Sequence, residues 1–315
     1  MEEKYKVCQK IGRREFLTST GIATAGIILN SKIYGNPSVN EDEPVNYDIM
    51  EEVMKYHKID SHCHVYLYFG GPEVQIDFAD RLGIDKLVIS RPITRDEATP
   101  EQFKESNDMV IKSVKQYPDR FIGQCTVNVR FKKESLYEID RCVDMGMIGL
   151  KVYHQVKIND PLFYPVIEKC IDYKMIILMH SEVRFGVGGY RMKYDAGMPQ
   201  NSSIPDDFVD IARRYPEAMF QYAHIGGGQD WEYACKTLRD SPNIWIDTSG
   251  SDNAEGMVDF ALKCVGEDRL LFGADCSYYQ SVGKILSANL NERQKKKIFF
   301  DNYDNILKKA GRSVE

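Results

Sequence analysis

Histidine is scarce in this chain, with six among 315 residues, and tryptophan occurs only twice. The body of the chain lacks any run of about 18 or more apolar residues, so nothing there is long enough to cross a membrane as a helix. It also lacks a basic stripe, and the net charge of −6 makes nucleic acid an unsuitable partner. Eight cysteines are present, but no C-x-x-C and no zinc-ribbon spacing. Cys8 lies near the N-terminus, and the remaining seven form an odd, unpatterned set, which argues against a disulfide framework. Cys125, Cys142, Cys170, Cys235 and Cys264 fall within strand or helix patterns, where a free thiol packs as a small hydrophobe. No internal repeat or low-complexity segment is visible.

What is there is an ordinary globular composition, 43% apolar and 28% charged, on a length that suits one large α/β domain. Residues 1–35 carry a net charge of +3 and the rest −9. Within that first stretch, "GRREFLTSTGIATAGIIL" places Arg13-Arg14 ahead of Phe16-Leu17 and a weakly apolar run. It resembles a twin-arginine export signal, so the expected partner is the twin-arginine export machinery and the expected location is the periplasm, with an uncleaved segment as a membrane tether. A basic arm followed by a short helix is the alternative. Residues 36–50 are polar, with two prolines, and read as a linker to a domain over 51–315. Homodimerisation stays open.

Eight short apolar runs follow, at 59–64, 86–90, 121–127, 148–153, 175–180, 219–224, 244–248 and 270–274. Each is apolar on both faces, as strands of a covered parallel sheet are. Helical patterns alternate with them, two opening on Thr99-Pro100 and Asp160-Pro161, good N-cap and first-turn pairs. Eight strands alternating with helices predict a distorted (β/α)8 TIM barrel, with a doubly wound open sheet as the competing arrangement.

In such barrels the chemistry sits at the C-terminal strand ends. The first run ends "IDSHCH", and residues two apart on a strand share a face, so His62 and His64 point the same way. Alone, a pair of histidines so spaced is more often structural than ligating. The fifth run ends at His180, the sixth at His224 and the eighth at Asp275. Four of six histidines and one acid thus end apolar runs at one mouth, and imidazole with carboxylate suits Zn²⁺ and similar divalent ions.

The segments "IDSHCHV", "GLKVYHQVKINDPLFYPVIEKC", "IILMHSEV", "AHIGGG", "LLFGADCS" and "IFFDNYDNIL" together resemble the amidohydrolase superfamily, in the branch that includes aminocarboxymuconate-semialdehyde decarboxylase. The resemblance implies a divalent metal ion, zinc by preference, held by His62, His64, His180 and Asp275. It further implies that Asp275 accepts a proton from the reactive water and that His224 is a second ligand or an acid/base depending on the branch, the acid/base in the decarboxylase-like one. Cys276 departs from the branch, where an aromatic often follows the aspartate. Lys151 ends the fourth run, where some superfamily members carry a carboxylated lysine bridging two metals. An uncarboxylated pocket lysine is the alternative.

The expected activity is hydrolysis of a small, carboxylate-bearing amide, ester or lactone. Nonoxidative decarboxylation on the same site is the alternative, and an inactive ligand-binding barrel the reading from another class. Arg91, Arg130 and Arg184 follow strand ends and are candidates to grip a substrate carboxylate. Residues 183–200, rich in glycine and tyrosine, are a candidate lid, and Tyr190, Met192 and Trp231 candidate pocket walls.

Overall fold

The computed structural model describes residues 48–66, 70–181, 200–225, 230–250 and 252–311. The export-signal stretch, most of the 36–50 linker, Arg184, Tyr190, Met192, Gly226–Gly228 and all of the candidate lid but Gln200 lie outside the described residues. Helix α1 (Ile49–Met54) begins inside the stretch expected to be linker.

Eight parallel strands alternate with helices, as the run pattern predicts. They are β1 (Ile59–His64), β2 (Lys86–Ser90), β3 (Phe121–Cys125), β4 (Gly149–Val152), β5 (Ile176–Met179), β6 (Met219–Tyr222), β7 (Ile244–Asp247) and β8 (Leu270–Leu271). The helices between and after them are α2 (Pro72–Leu82), α3 (Pro100–Gln116), α4 (Lys132–Asp144), α5 (Tyr164–Asp172), α6 (Pro205–Arg214), α7 (Trp231–Thr237), α8 (Met257–Val265), α9 (Tyr278–Ser287), α10 (Glu292–Lys296) and α11 (Asn302–Lys309).

The strands pair in chain order, each parallel to the next. Backbone bonds from Ser61 N to Phe272 O (2.9 Å) and from Asp275 N to His62 O (2.7 Å) draw the extension of β8 against β1. The sheet is therefore a nearly closed (β/α)8 barrel, not a doubly wound open sheet.

Two apolar layers explain why the strands are apolar on both faces. Outside the sheet, side chains such as Ile177, Phe220 and Ile246 pack under the helices. Inside, Ile59, Val88, Ile148, Ile176, Met219, Trp245 and Leu271 fill the lower barrel, closed from below by Tyr303, Ile306 and Leu307 of α11. A π-helical turn, Lys297–Asp301, connects α10 to α11 and aims Phe299 at the base of the barrel. Its ring lies 5.1 Å from Phe272 and 5.5 Å from Tyr56.

Helix starts follow local chemistry. Thr99 N donates to Gln102 Oε1 (2.9 Å) ahead of Pro100 in α3. Asp160 Oδ1 accepts from Leu162 N (2.8 Å), capping a short 3-10 turn, Pro161–Phe163, that feeds α5. A groove of about 940 Å³ opens at the N-terminal end of the barrel, lined by residues including Tyr56, Asp85, Arg120 and Phe300. That is the end opposite the one where barrel chemistry sits.

Truncating Phe299, fully buried between these rings, should leave a cavity that the rigid base cannot close. Phe299→Ala is expected to lower unfolding stability by about 3–5 kcal/mol in denaturant titration. A loss under about 1 kcal/mol would show that the turn does not anchor the base.

Candidate active site at the barrel mouth

Two backbone irregularities bring the histidines inward. Ile59 and His62, of opposite parity on a regular strand, both face the interior because the pairing of β1 with β2 shifts between Asp60 and Cys63. Asp60 holds this irregularity: its Oδ1 accepts from His62 N (3.0 Å) and Ala274 N (2.8 Å). On β6, alternation from Met219 and Gln221 would turn position 224 outward. His224 instead adopts a left-handed φ of 67°, and its N–H donates to Asp247 Oδ1 (3.0 Å). Asp275 (φ 46°) and Cys276 (φ 64°) are also left-handed, a strain of about 1–3 kcal/mol per residue that persists only where surroundings enforce it.

The resulting cluster is compact. One ligand atom each from His62, His224 and Asp275 lie within 4.8 Å of one another, a group able to hold one metal ion. His64 adjoins it, with Nε2 3.0 Å from Asp275 Oδ1. That approach lies outside hydrogen-bond geometry, so His64 Nε2 is a buried nitrogen with no hydrogen-bond partner. Its other nitrogen, Nδ1, is 2.9 Å from Ser90 Oγ. His180 sits one ring further out: its Nδ1 is 2.8 Å from His224 Nε2, and its ring stacks on Tyr153 at 4.4 Å. The set expected to ligate was His62, His64, His180 and Asp275. Of these, His62 and Asp275 fall in one compact group with His224, and His180 touches that group through His224.

The sequence reading missed Asp247. Its carboxylate, fully buried at the end of β7, meets His62 Nδ1 (3.0 Å), Gln221 Nε2 (2.9 Å), His224 N and Ser249 Oγ (2.5 Å). By accepting from Nδ1 it keeps the proton there and leaves the Nε2 lone pair of His62 facing the mouth. The signal was present, since "IWID" is an apolar run ending in an acid like the others. Gly273 passes close beside it, and a Cβ there would lie 3.1 Å from Asp247 Cβ and 3.2 Å from His62 Cβ.

Protonation follows from burial and neighbours. Burial pushes the His64 imidazole down to about 4 against the pull of Asp275, and pushes His224 well below the usual range. Both are therefore neutral near pH 7, as ligating imidazoles must be. Burial alone would raise the carboxyl groups of Asp247 and Asp275, but the neighbouring histidines outweigh it and hold both low. Asp60, without such partners, is raised well above the carboxylate range by its burial.

Lys151 points into the same interior, its Nζ 3.0 Å from His62 Nε2 and 5.1 Å from the centre of the Tyr153 ring. Burial lowers it to about 8, against the raising effect of Asp275 and Asp247. Arg91 donates to the carbonyl of Tyr66, and Arg130 to that of Gln155 through Nε (3.0 Å) and a terminal nitrogen (2.6 Å). Both guanidiniums thus tie down loops at the mouth. Trp231 packs edge-on against Phe260 of α8 at 5.4 Å, within the helix layer and not as a pocket wall.

Comparison with known proteins agrees with this geometry. The amidohydrolase family profile matches residues 59–302. A 2-amino-3-carboxymuconate-6-semialdehyde decarboxylase from Dictyostelium discoideum is 22% identical over 271 residues, covering 75% of this chain and 73% of that protein. The fold is shared with 2,6-dihydroxybenzoate decarboxylase from Rhizobium (TM-score 0.64, 16% identity, 80% of this chain and 99% of that one). It is shared equally with a dihydroxybenzoic acid decarboxylase from Polaromonas, solved with manganese and the inhibitor 2-nitroresorcinol (TM-score 0.63, 17% identity, 80% and 97%). With the family profile matched from the first barrel strand to the start of the last helix, the chain belongs to the amidohydrolase family of enzymes.

Proposed function

We propose that this protein is a metal-dependent nonoxidative decarboxylase of a small unsaturated or phenolic carboxylic acid. The observation that carries this reading is the likeness, along three-quarters of the chain, to a decarboxylase of an unsaturated carboxylic acid. Solved barrels of the same shape, which are decarboxylases of phenolic acids, support it. The first expectation, hydrolysis, gives way on that ground.

The residues fit a divalent ion. His62 presents Nε2, its tautomer fixed by Asp247 and its lone pair met here by Lys151 Nζ at 3.0 Å, His64 a buried Nε2 without a hydrogen-bond partner, and Asp275 an ionised carboxylate among them. Nitrogen and oxygen donors of this kind suit Zn²⁺ or Mn²⁺. A bound ion would supply Lewis acidity to the substrate's oxygen atoms.

The chain's own groups then account for the rest. Lys151 sets a cation where a substrate carboxylate would enter. His224, neutral at rest, is placed to relay a proton taken up through His180 to the carbon that loses its carboxylate, so that R–COO⁻ and H⁺ become R–H and CO₂. His180, half-buried and 2.8 Å away, can return that proton from the solvent side.

The test is a panel of carboxylated phenols and unsaturated acids with Mn²⁺, read by CO₂ release and product mass. Turnover of amides, esters or lactones without CO₂ would overturn the reading, and no turnover of any class would favour the inactive barrel. His224→Asn is expected to cut CO₂ release by about 10²–10⁴. Turnover near that of the unaltered protein would take His224 out of the reaction.

Asp247→Asn should weaken Mn²⁺ binding about 10–100-fold in calorimetric titration, because the amide no longer enforces the His62 tautomer. Unchanged affinity would mean that His62 is not a ligand, or is oriented by other contacts.

Export to the periplasm is part of the same proposal and rests on Arg13-Arg14 ahead of the weakly apolar run. Replacing both with lysine should retain the full-length chain in the cytoplasm, since the pair is read by a receptor and not as charge. Unchanged periplasmic recovery of the Lys-Lys variant would exclude a twin-arginine signal.

A further inference from the structure

Two cysteines alternate in the chain with the residues of the histidine cluster. Cys63 lies between His62 and His64, and Cys276 follows Asp275. The irregularity in β1 that turns both histidines inward turns Cys63 to the outer face, toward α9, where its Sγ is 2.8 Å from Tyr278 Oη. The left-handed backbone at Asp275 and Cys276 folds the second thiol back over the same place. Both sulfurs converge on one acceptor, the carbonyl oxygen of His64, at 3.8 Å from Cys63 and 3.6 Å from Cys276. Sharing one carbonyl acceptor sets the two thiols beside each other. Cys63 is buried, while Cys276 is partly exposed.

We propose that Cys63 and Cys276 form a modification site, a thiol pair that closes into a reversible disulfide and draws Asp275 away from His64. The co-reactant is a low-molecular-weight disulfide. The Cys276 sulfur displaces one half of it, giving a mixed disulfide and one small thiol. The Cys63 sulfur then displaces the second half, so the pair gives up two protons and two electrons and the small disulfide becomes two thiols. Closure must bring the sulfurs from non-bonded contact to a bond of about 2.05 Å. Cys63 is held in a strand, so the Asp275–Cys276 turn has to move. Asp275 Oδ1, 3.0 Å from His64 Nε2, moves with it. If the metal site proposed above is real, the disulfide also dismantles it, but the thiol chemistry does not depend on that reading.

The experiment treats the full chain with oxidised glutathione and maps peptides without reduction, alongside NMR of the histidine imidazoles in the metal-free protein. The expected result is a Cys63–Cys276 cross-linked peptide together with a shift of the His64 imidazole signals. Dithiothreitol should reverse both, and Cys276→Ser and Cys63→Ser should each abolish both. Two variants are used so that poor folding of one leaves the other to decide. Glutathione remaining on Cys276 with no cross-link, or a cross-link that leaves the His64 signals unmoved, would overturn the proposal. Because the readouts need no metal, a failure to bind Mn²⁺ would count against the decarboxylase reading and not against the thiol pair.

Discussion

The carboxylate of Asp247 is the interaction on which the barrel mouth depends. It lies fully buried, and such an anion is tolerated only when its oxygens are surrounded by donors. Here the donors come from three strand ends: the His62 ring, the Gln221 amide, the His224 backbone and Ser249. Each bond that satisfies the anion also fixes a group of the site. The His62 tautomer, the left-handed backbone at His224 and the close passage of Gly273 all follow from placing one acid there.

A second constraint is the balance of charge inside a dry barrel. Asp247 and Asp275 stay ionised because histidines face them, while Asp60 is pushed toward its neutral form. Lys151 brings a cation at the cost of its own burial, which is why its ammonium is weakened. A site that buries two anions, one weakened cation and several neutral imidazoles together has the donor types a divalent ion takes. His64 Nε2, beside Asp275, has no hydrogen-bond partner.

Much of this was legible in the sequence. Strand runs fell within two or three residues of the observed strands, because a covered parallel sheet demands residues apolar on both faces. His62, His64, His224 and Asp275 stood out as polar residues ending apolar runs. Asp247 carried the same signal and went unread, since "IWIDTS" offers no histidine to draw attention. Backbone departures are harder to foresee. The shift in β1 is held partly by the bond of Asp60 to Ala274 N, and the left-handed His224 by Asp247, contacts more than 20 residues apart in sequence that local pattern does not encode. Likewise Arg91 and Arg130 look like substrate clamps by position, yet their guanidiniums reach loop carbonyls that only the fold brings near. Hydrolysis and decarboxylation use the same ligands, so the choice between them came from relatives and not from the motif.

The central claim is that His62, His64 and Asp275, beside His224 at the barrel mouth, hold a divalent ion. Elemental analysis of the purified full chain after exposure to Mn²⁺ and gel filtration tests it most directly, with a variant carrying both His62→Ala and His64→Ala measured in parallel. The account predicts about one ion per chain in the unaltered protein and almost none in the double variant. Equal occupancy in the two proteins would contradict it.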